Sequence, residues 1–378
     1  MQGCVWSQGE AAMKTLRSVL AEAPLAWLLV AVPAAVWVHY SRPDAPLLGF
    51  VIACVAIIPL AGLLGLATEK LATRVGEAIG GFLNATLGNA AELIIALVAL
   101  RAGMLDVVKA SITGSIIGNL LLVLGAAFLA GGLRHPVQTF ATIGARAQVG
   151  MMALAAMAFL IPSIVATIGG GKFVAQSVNF SIAVSVVLLA VYLLSLVFSL
   201  RTHTHLFKSD HASAEGEVHG VPWSIALTIG VMAAVTLLIV WMSEILVGTV
   251  EHAATALGLS NLFIGVVVVA VVGNAAEHST AILVALRNRM ELAVGIAIGS
   301  STQIALFVAP LLVLLSLVMA PAPLSLAFSG VDVFLMLMAT FVASILIVDG
   351  RSTWFTGVQL LAVYLVMALT VFGVPAKP

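Results

Sequence analysis

Polar residues are sparse along this chain and fall in short clusters, between which apolar residues run on for about 20 positions at a time. About 20 mostly apolar residues are what a helix needs to cross a bilayer. The runs predict eleven transmembrane segments, at 25–40, 45–66, 80–101, 104–131, 146–170, 175–200, 222–247, 259–286, 290–317, 325–348 and 354–374. Backbone polar groups inside lipid must find partners within the segment, and the alternating pattern of a β-barrel is missing, so the segments are predicted as helices. No cleavable signal peptide is read, because the first apolar run is followed closely by others.

Composition agrees with the pattern. Of 378 residues, 62% are hydrophobic and 8% charged, and mean hydropathy is +1.19. A soluble domain carries about 25% charged residues, so the solvent for most of this surface is lipid. Zero net charge argues against a nucleic-acid partner, which requires a basic patch. Cys4 and Cys54 are too few for a disulfide scaffold or a Cys-rich metal site, and Cys54 reads as a packing residue. Lys14, Arg17, Lys70, Arg74, Arg134, Arg146, Arg201, Lys208, Arg287, Arg289 and Arg351 fall on the side of the N-terminus. Arg42, Arg101, Lys109, Lys172 and Lys377 fall on the other. The positive-inside rule then places the N-terminus in the cytoplasm and the C-terminus outside. Short loops and abundant alanine suggest a bacterial inner membrane.

The longest polar stretch, 201–221, carries His203, His205, His211 and His219. It reads as a solvated cytoplasmic linker; a metal or pH sensor is the alternative. It divides the chain into an N-terminal segment with the first helix (1–44), a five-helix unit (45–200), the linker, and a second five-helix unit (222–378). Residues 8–24 fit a surface helix.

The two units share a motif. Gly88-Asn89-Ala90-Ala91-Glu92 recurs as Gly273-Asn274-Ala275-Ala276-Glu277, 185 residues on, and the same offset relates Gly114-Ser115 to Gly299-Ser300. Five spans is an odd number, so the copies enter the membrane from opposite sides. Such inverted repeats build transporters whose binding sites sit near mid-membrane at the repeat interface.

Arg101 ends its segment nine residues past Glu92. At about 1.5 Å per residue that is roughly 13 Å, close to half of a hydrocarbon core of about 30 Å. Glu92 and Glu277 therefore lie near the midplane, where a charge is costly and functional by default. No Lys or Arg is expected at that depth; only His278 is, and sequence neighbours face different ways on a helix. Two carboxylates meeting without a base must share a cation or take up protons. Asn89 and Asn274 precede their glutamates by three, which puts each pair on one helix face. Carboxylate and amide oxygens are hard ligands that suit Ca²⁺. Gly88 and Gly273 would loosen the helix and free carbonyls. Glycines at 114 and 118, and at 295 and 299, would let helices approach closely. That would bring Ser115, Asn119, Ser300, Ser301 and Gln303 to the carboxylates, as ligands or as helix-to-helix hydrogen bonds. Glu69 and Glu77 on the inner side, and Glu244, Glu251 and Asp332 toward the outer face, would draw cations into vestibules.

GNAAE in both halves resembles the calcium/proton exchanger family of the cation/calcium exchanger superfamily. The similarity extends through Ala67-Thr68-Glu69, GGFLNATLGNAAELI (80–94), THTHLF (202–207), GSSTQIALFVAP (299–310) and Asp349-Gly350-Arg351-Ser352. It implies eleven helices in an inverted five-helix repeat, a midplane site on the third and eighth helices, and calcium efflux driven by inward proton movement. Asn89, Glu92, Asn274 and Glu277 match its motif, with Ser300, Ser301 and Gln303 near them. The GTSxPE-like motif of sodium/calcium exchangers is missing. The family often has a strongly acidic segment between the halves, whereas only Asp210, Glu215 and Glu217 stand in the linker here. The expectation is a Ca²⁺/H⁺ antiporter with Ca²⁺ and H⁺ as its transported ions. No enzyme activity or organic cofactor is expected, and an oligomer is compatible. Its rivals are exchange of Mn²⁺, Na⁺ or K⁺, and a passive cation channel. An intramembrane enzyme built on Glu277-His278 would lack both an HExxH pair and a nucleophile.

Overall fold

The computed structural model describes residues 23–203 and 223–373, apart from 24, 76 and 169. The helices are α1 (Ala26–Ser41), α2 (Pro46–Ala72), α3 (Glu77–Leu87), α4 (Ala90–Arg101), α5 (Leu105–Arg134), α6 (Thr142–Ile168) and α7 (Gly170–Val197). After the linker come α8 (Ile225–Leu257), α9 (Asn261–Gly273), α10 (Ala275–Leu286), α11 (Met290–Met319), α12 (Gly330–Leu346) and α13 (Trp354–Phe372). Two short strands, β1 (Gln138–Thr139) and β2 (Arg351–Ser352), pair antiparallel between loops. Seven helices are long and apolar enough to cross a membrane, and the bent pair α9–α10 makes an eighth if taken as one span. The shorter α1 and α12 and the pair α3–α4 occupy the other three predicted segments. The expected all-helical membrane fold is present, although helix length alone does not set the span count at eleven. Most of the linker, and residues 8–22, lie outside the described residues.

The repeat is visible element by element. α4 and α10 each hold 12 residues and begin 185 positions apart. α5 and α11 each hold 30 and begin at the same offset. Each of the latter contains a wider π turn, at Gly118–Val123 and Ile304–Val308. Such turns insert a residue into the helical ladder and recur at functional sites. The core lies where α2 runs along α8 and α5 meets α9 and α13.

Glycine permits the closest of these crossings. A side chain at Gly114 would overlap the backbone of Val266 on α9, and one at Gly265 would strike Ala110 on α5. Gly357 stands in the same way against Leu129 and Gly125. The other predicted contact glycines behave differently. Gly118 and Gly295 meet nothing within 4 Å, and Gly299 faces only the Gln148 amide, at 3.6 Å. Close approach is thus confined to one end of the expected motif.

The expected helix 325–348 begins only at Gly330. Residues 320–329 are non-helical because Pro321 and Pro323 remove donors and restrict the chain. The Leu324, Leu326 and Phe328 N–H groups instead donate to the hydroxyls of Ser316, Ser181 and Ser163.

Gly114→Val should lower the melting temperature in detergent by an amount corresponding to about 1–3 kcal/mol of overpacking or more, or abolish folded yield. Gly118→Ala, which has open space, should leave both nearly unchanged. Fluorescence-detected size exclusion after heating reads the difference.

Candidate functional site

The two GNAAE motifs do not sit in continuous helices. α3 gives way to α4 at Gly88-Asn89, and α9 gives way to α10 at Asn274 with a bend of 58°. Asn89 and Asn274 occupy the cap position of each second half-helix, with φ near −97° and −90°. Neither side chain caps its own helix, so both amides are free to reach across the fold. Glu92 and Glu277 fall in the first turn of α4 and α10. A helix N-terminus carries about half a positive charge and favours an anion there. Broken helices of transporters use their ends in this way at mid-membrane sites. Among the described residues no lysine or arginine acts on either carboxylate.

A chain of hydrogen bonds ties the two halves together. Asn89 donates to Gln303 Oε1 at 2.6 Å, and its own oxygen accepts from Ser300 Oγ at 2.7 Å. Asn119 donates to Ser300 Oγ at 2.8 Å and Asn274 Oδ1 at 3.2 Å, and lies 3.5 Å from Glu277 Oε2. Asn274 donates in turn to Ser115 Oγ at 2.9 Å and the Ala270 carbonyl at 2.8 Å. Asn119 Oδ1 is buried without a donor. The π turn of α5 starts at Gly118, beside Asn119, and that of α11 directly follows Gln303. Each extra residue in the ladder thus adjoins a polar side chain of the network.

A cavity of about 860 Å³ reaches this network. Glu92, Glu277, Ser300 and Gln303 line it, together with Gly88 and Gly273. Glu92 packs its Cγ against Gly273, 3.4 Å from where a Cβ would stand. The cavity runs on to Glu69, Lys70, Arg289 and Glu291, so it opens on the side carrying most of the basic residues. Asn89, Asn119, Asn274 and Ser115 are not part of this wall: Asn89 and Asn119 bond residues that form it, and Asn274 and Ser115 connect to it through Asn119. Ser301 is separate: its hydroxyl donates to the carbonyls of Ala297 at 3.0 Å and Ile116 at 3.3 Å.

The remaining predicted residues divide. Glu69 is exposed at the mouth of this cavity. Glu244 and Glu251 are exposed and border a second cavity, of about 420 Å³, with Arg101 and His252. His278 is not among the lining residues of the large cavity, although Glu277 and Ser279 are. Asp332 departs from the expectation of a solvent-lined acid: it is 3% exposed, accepts from Ser329 Oγ at 2.6 Å and borders neither cavity. Lys109 also departs from the expected helix-end position, lying a full turn inside α5 and half-buried. The motif reading did not include Gln148, Asn84, Ser279 and Thr280, which also line the large cavity. For Gln148 the signal was available as a lone amide in an apolar stretch of α6.

Broken half-helices that bring two carboxylates to one polar chamber inside an apolar bundle define a membrane transporter. The chain belongs to the sodium/calcium exchanger protein family, whose description matches residues 45–201 and again 227–373. It is 42% identical over 339 residues to the Ca(2+)/H(+) antiporter of Synechocystis sp., covering 86% of this chain and 91% of that one. It is 43% identical over 324 residues to the Ca(2+)/H(+) antiporter ChaA of Bacillus subtilis, covering 85% and 91%. The solved structure of native YfkE superposes with a TM-score of 0.78 at 39% identity, over 92% of this chain and 98% of that one.

Asn119→Ala should slow transport at least about tenfold and lower thermal stability, since it orphans buried partners at about 1–3 kcal/mol each. Ser301→Ala should change transport less than about twofold, because its hydroxyl is spent on backbone carbonyls. Initial flux rates and melting curves of the two variants separate a network member from a bystander.

Proposed function

We propose that the protein exchanges Ca²⁺ for H⁺ by alternating access, its two five-helix units acting as inverted repeats about the Glu92–Glu277 chamber. One observation carries this reading. Two carboxylates share a polar chamber deep in an apolar bundle, and among the described residues the charge that acts on Glu92 is that of Glu277. Such a pair is satisfied by one divalent cation or by protons, and the two occupancies exclude each other. Exchange follows: the cation leaves only as protons arrive, and the loaded site is neutral in either form. The relatives named as Ca(2+)/H(+) antiporters align across both halves and supply the identity of the ions.

Glu92 and Glu277 are the ligands that change protonation. Ser300 Oγ and Gln303 Oε1 are the neutral oxygens that line the chamber with them. Ca²⁺ takes six to eight oxygens, so water fills the remaining positions while the cavity is open. Asn89, Asn119 and Asn274 hold these groups in place, and the unpartnered oxygen of Asn119 becomes a further ligand when the chamber closes. Among the described residues no group of three or more Asp, Glu, His or Cys is placed to hold a metal ion. Two charges suit a cargo that must be released better than a resident ion. The cavity opens toward Lys70 and Arg289, the side assigned to the cytoplasm, so this form is the one that loads Ca²⁺. Glu69, exposed at its mouth, attracts the cation. The N-terminus is then cytoplasmic, and export runs outward, into the periplasm of a bacterium.

Reconstituted vesicles with an imposed pH gradient should accumulate calcium against its gradient, with opposite proton movement. Calcium flux indifferent to the pH gradient would point to a channel or another counter-ion. Glu92→Gln and Glu277→Gln should each abolish exchange while retaining the folded elution profile; substantial exchange in both would refute the site. Because protons compete for the same oxygens, lowering pH on the calcium side should raise the half-saturating calcium concentration.

A further inference from the structure

Charge stands at two positions whose counterparts in the other half are uncharged, Asp332 in the second half and Lys109 in the first. Residues 142 and 330 begin α6 and α12 in corresponding places, each after a non-helical segment. This equates Phe140 with Phe328, Ala141 with Ser329 and Gly144 with Asp332. Phe140, Ala141 and Gly144 all line the large open cavity. In the same way Lys109 on α5 corresponds to Val294 on α11, and Val294 lines that cavity too. The small cavity fits this equivalence. Its α8 residues Glu244, Val247, Gly248, Glu251 and His252 stand 182 positions after Gly62, Gly65, Leu66, Glu69 and Lys70, each of which lines the large one. It lies at the opposite end of α4, against Val98 and Arg101 rather than Ala91 and Glu92. By that equivalence the small cavity corresponds to the outer mouth of a path to the glutamates, and it shares no lining residue with the large cavity.

The non-helical segment 320–329 carries Phe328 and Ser329, the counterparts of Phe140 and Ala141 on the wall of the large cavity. Leu324, Leu326 and Phe328 are buried, and their N–H groups are held by serines of α11, α7 and α6. Lys109 adds the remaining tie. Its ammonium donates to the Ala327 carbonyl at 2.6 Å and to Ser325 Oγ at 3.2 Å, lies 6.0 Å from the Phe328 ring centroid, and feels the charges of Asp106 and Asp332. Asp332 is buried behind the segment with one oxygen unpartnered by hydrogen bonding. Immobilising a lysine costs side-chain entropy, which these contacts to the segment offset only while the segment is seated.

We propose that segment 320–329 is the outer gate, that Lys109 is the positioning residue that latches it shut while the inner cavity is open, and that Asp332 is a carboxylate of the exit path, uncovered when the gate lifts. This rests on the alternating-access reading above. The latch has no equivalent on the inner side, where Val294 stands in its place. The two end states are thus biased unequally: Lys109 favours the inward-open form. In the outward-open form the released Asp332 offers the departing cation a ligand between the glutamates and the outer mouth.

The test uses the full chain in vesicles, with Cys4 and Cys54 replaced by serine and Ala327→Cys as a reporter. A membrane-impermeant maleimide is applied from the outer face. The reporter should label slowly with Lys109 present, at least about tenfold faster with Lys109→Met, and slowly again with Lys109→Arg. Ser181→Ala, which removes the partner of the Leu326 N–H, should also speed labelling and serves if Lys109→Met fails to fold. Lys109→Met should further raise the half-saturating calcium concentration at the inner face, because less protein then presents the loading form. Equal labelling rates in all four proteins would overturn the gate. Labelling does not depend on which ion is carried, so loss of calcium–proton coupling in the unmodified protein would sink the functional reading while leaving the gate to be judged by the maleimide alone.

Discussion

A carboxylate in the middle of a bilayer must be compensated, and in this chain no basic side chain acts on Glu92 or Glu277 among the described residues. A charged side chain at the centre of a membrane helix costs several kcal/mol. What the fold supplies is partial: two helix N-termini, a set of amide and hydroxyl dipoles, and a cavity of about 860 Å³. The compensation is enough to tolerate the carboxylates but leaves them in need of a cation or protons. Much of the rest follows from that deficit. The helices must break to place their N-termini at mid-depth. The breaks place asparagines at caps that their own side chains do not fill. Those side chains then knit α4 and α10 to α5 and α11.

Breaking a helix inside lipid leaves backbone groups without their usual partners, which is tolerated only where other polar groups or water reach them. The chamber meets both conditions. Asn274 adds a side-chain hydrogen bond at 2.8 Å to the Ala270 carbonyl, which already accepts from its own N–H at 3.1 Å, and so ties the end of α9 down at the break. The π turns beside Asn119 and after Gln303 belong to the same arrangement. By adding a residue to a turn they change which side chains of α5 and α11 face the carboxylates, without ending the helix. Gly114 and Gly265 let α5 and α9 come close enough for Asn119 and Ser115 to reach Asn274.

The fold class and the central residues were legible in the sequence for physical reasons that do not depend on detail. Lipid forces long apolar runs, and an unpaired acid inside one is conspicuous whatever the tertiary structure. Duplication made Glu92 and Glu277 point to each other. Periodicity alone could not show the breaks at Asn89 and Asn274, because Gly and Asn inside an apolar run are compatible with a continuous helix. It also could not separate Ser300, whose hydroxyl faces the chamber network, from Ser301, whose hydroxyl returns to its own helix. Adjacent residues on a helix differ by about 100°, and the sequence does not say which of them faces inward. Segment 320–329 was read as partly helical because its leucines look like any apolar run. Pro321 and Pro323 are the local signal against it, and two of the three serines that hold it, Ser163 and Ser181, lie 165 and 145 residues earlier in the chain.

Symmetry explains why the site has two glutamates, and its failure explains how the two sides of the membrane come to differ. An ideal inverted repeat would make the inward-open and outward-open forms mirror each other in energy, and nothing in the protein would set which form waits for cargo. Charge breaks the equivalence here. The large cavity is walled at the relevant positions by Val294 and Gly144, whose counterparts are Lys109 and Asp332, the residues of the proposed outer gate. A lysine that donates to a backbone carbonyl of the closing segment stabilises one form specifically, since that contact exists only when the segment is seated. A contact shifts a two-state equilibrium only by its difference between the states. Lys109 qualifies on that ground, whereas the network around Asn89 and Asn274 joins residues of both halves and holds the site together.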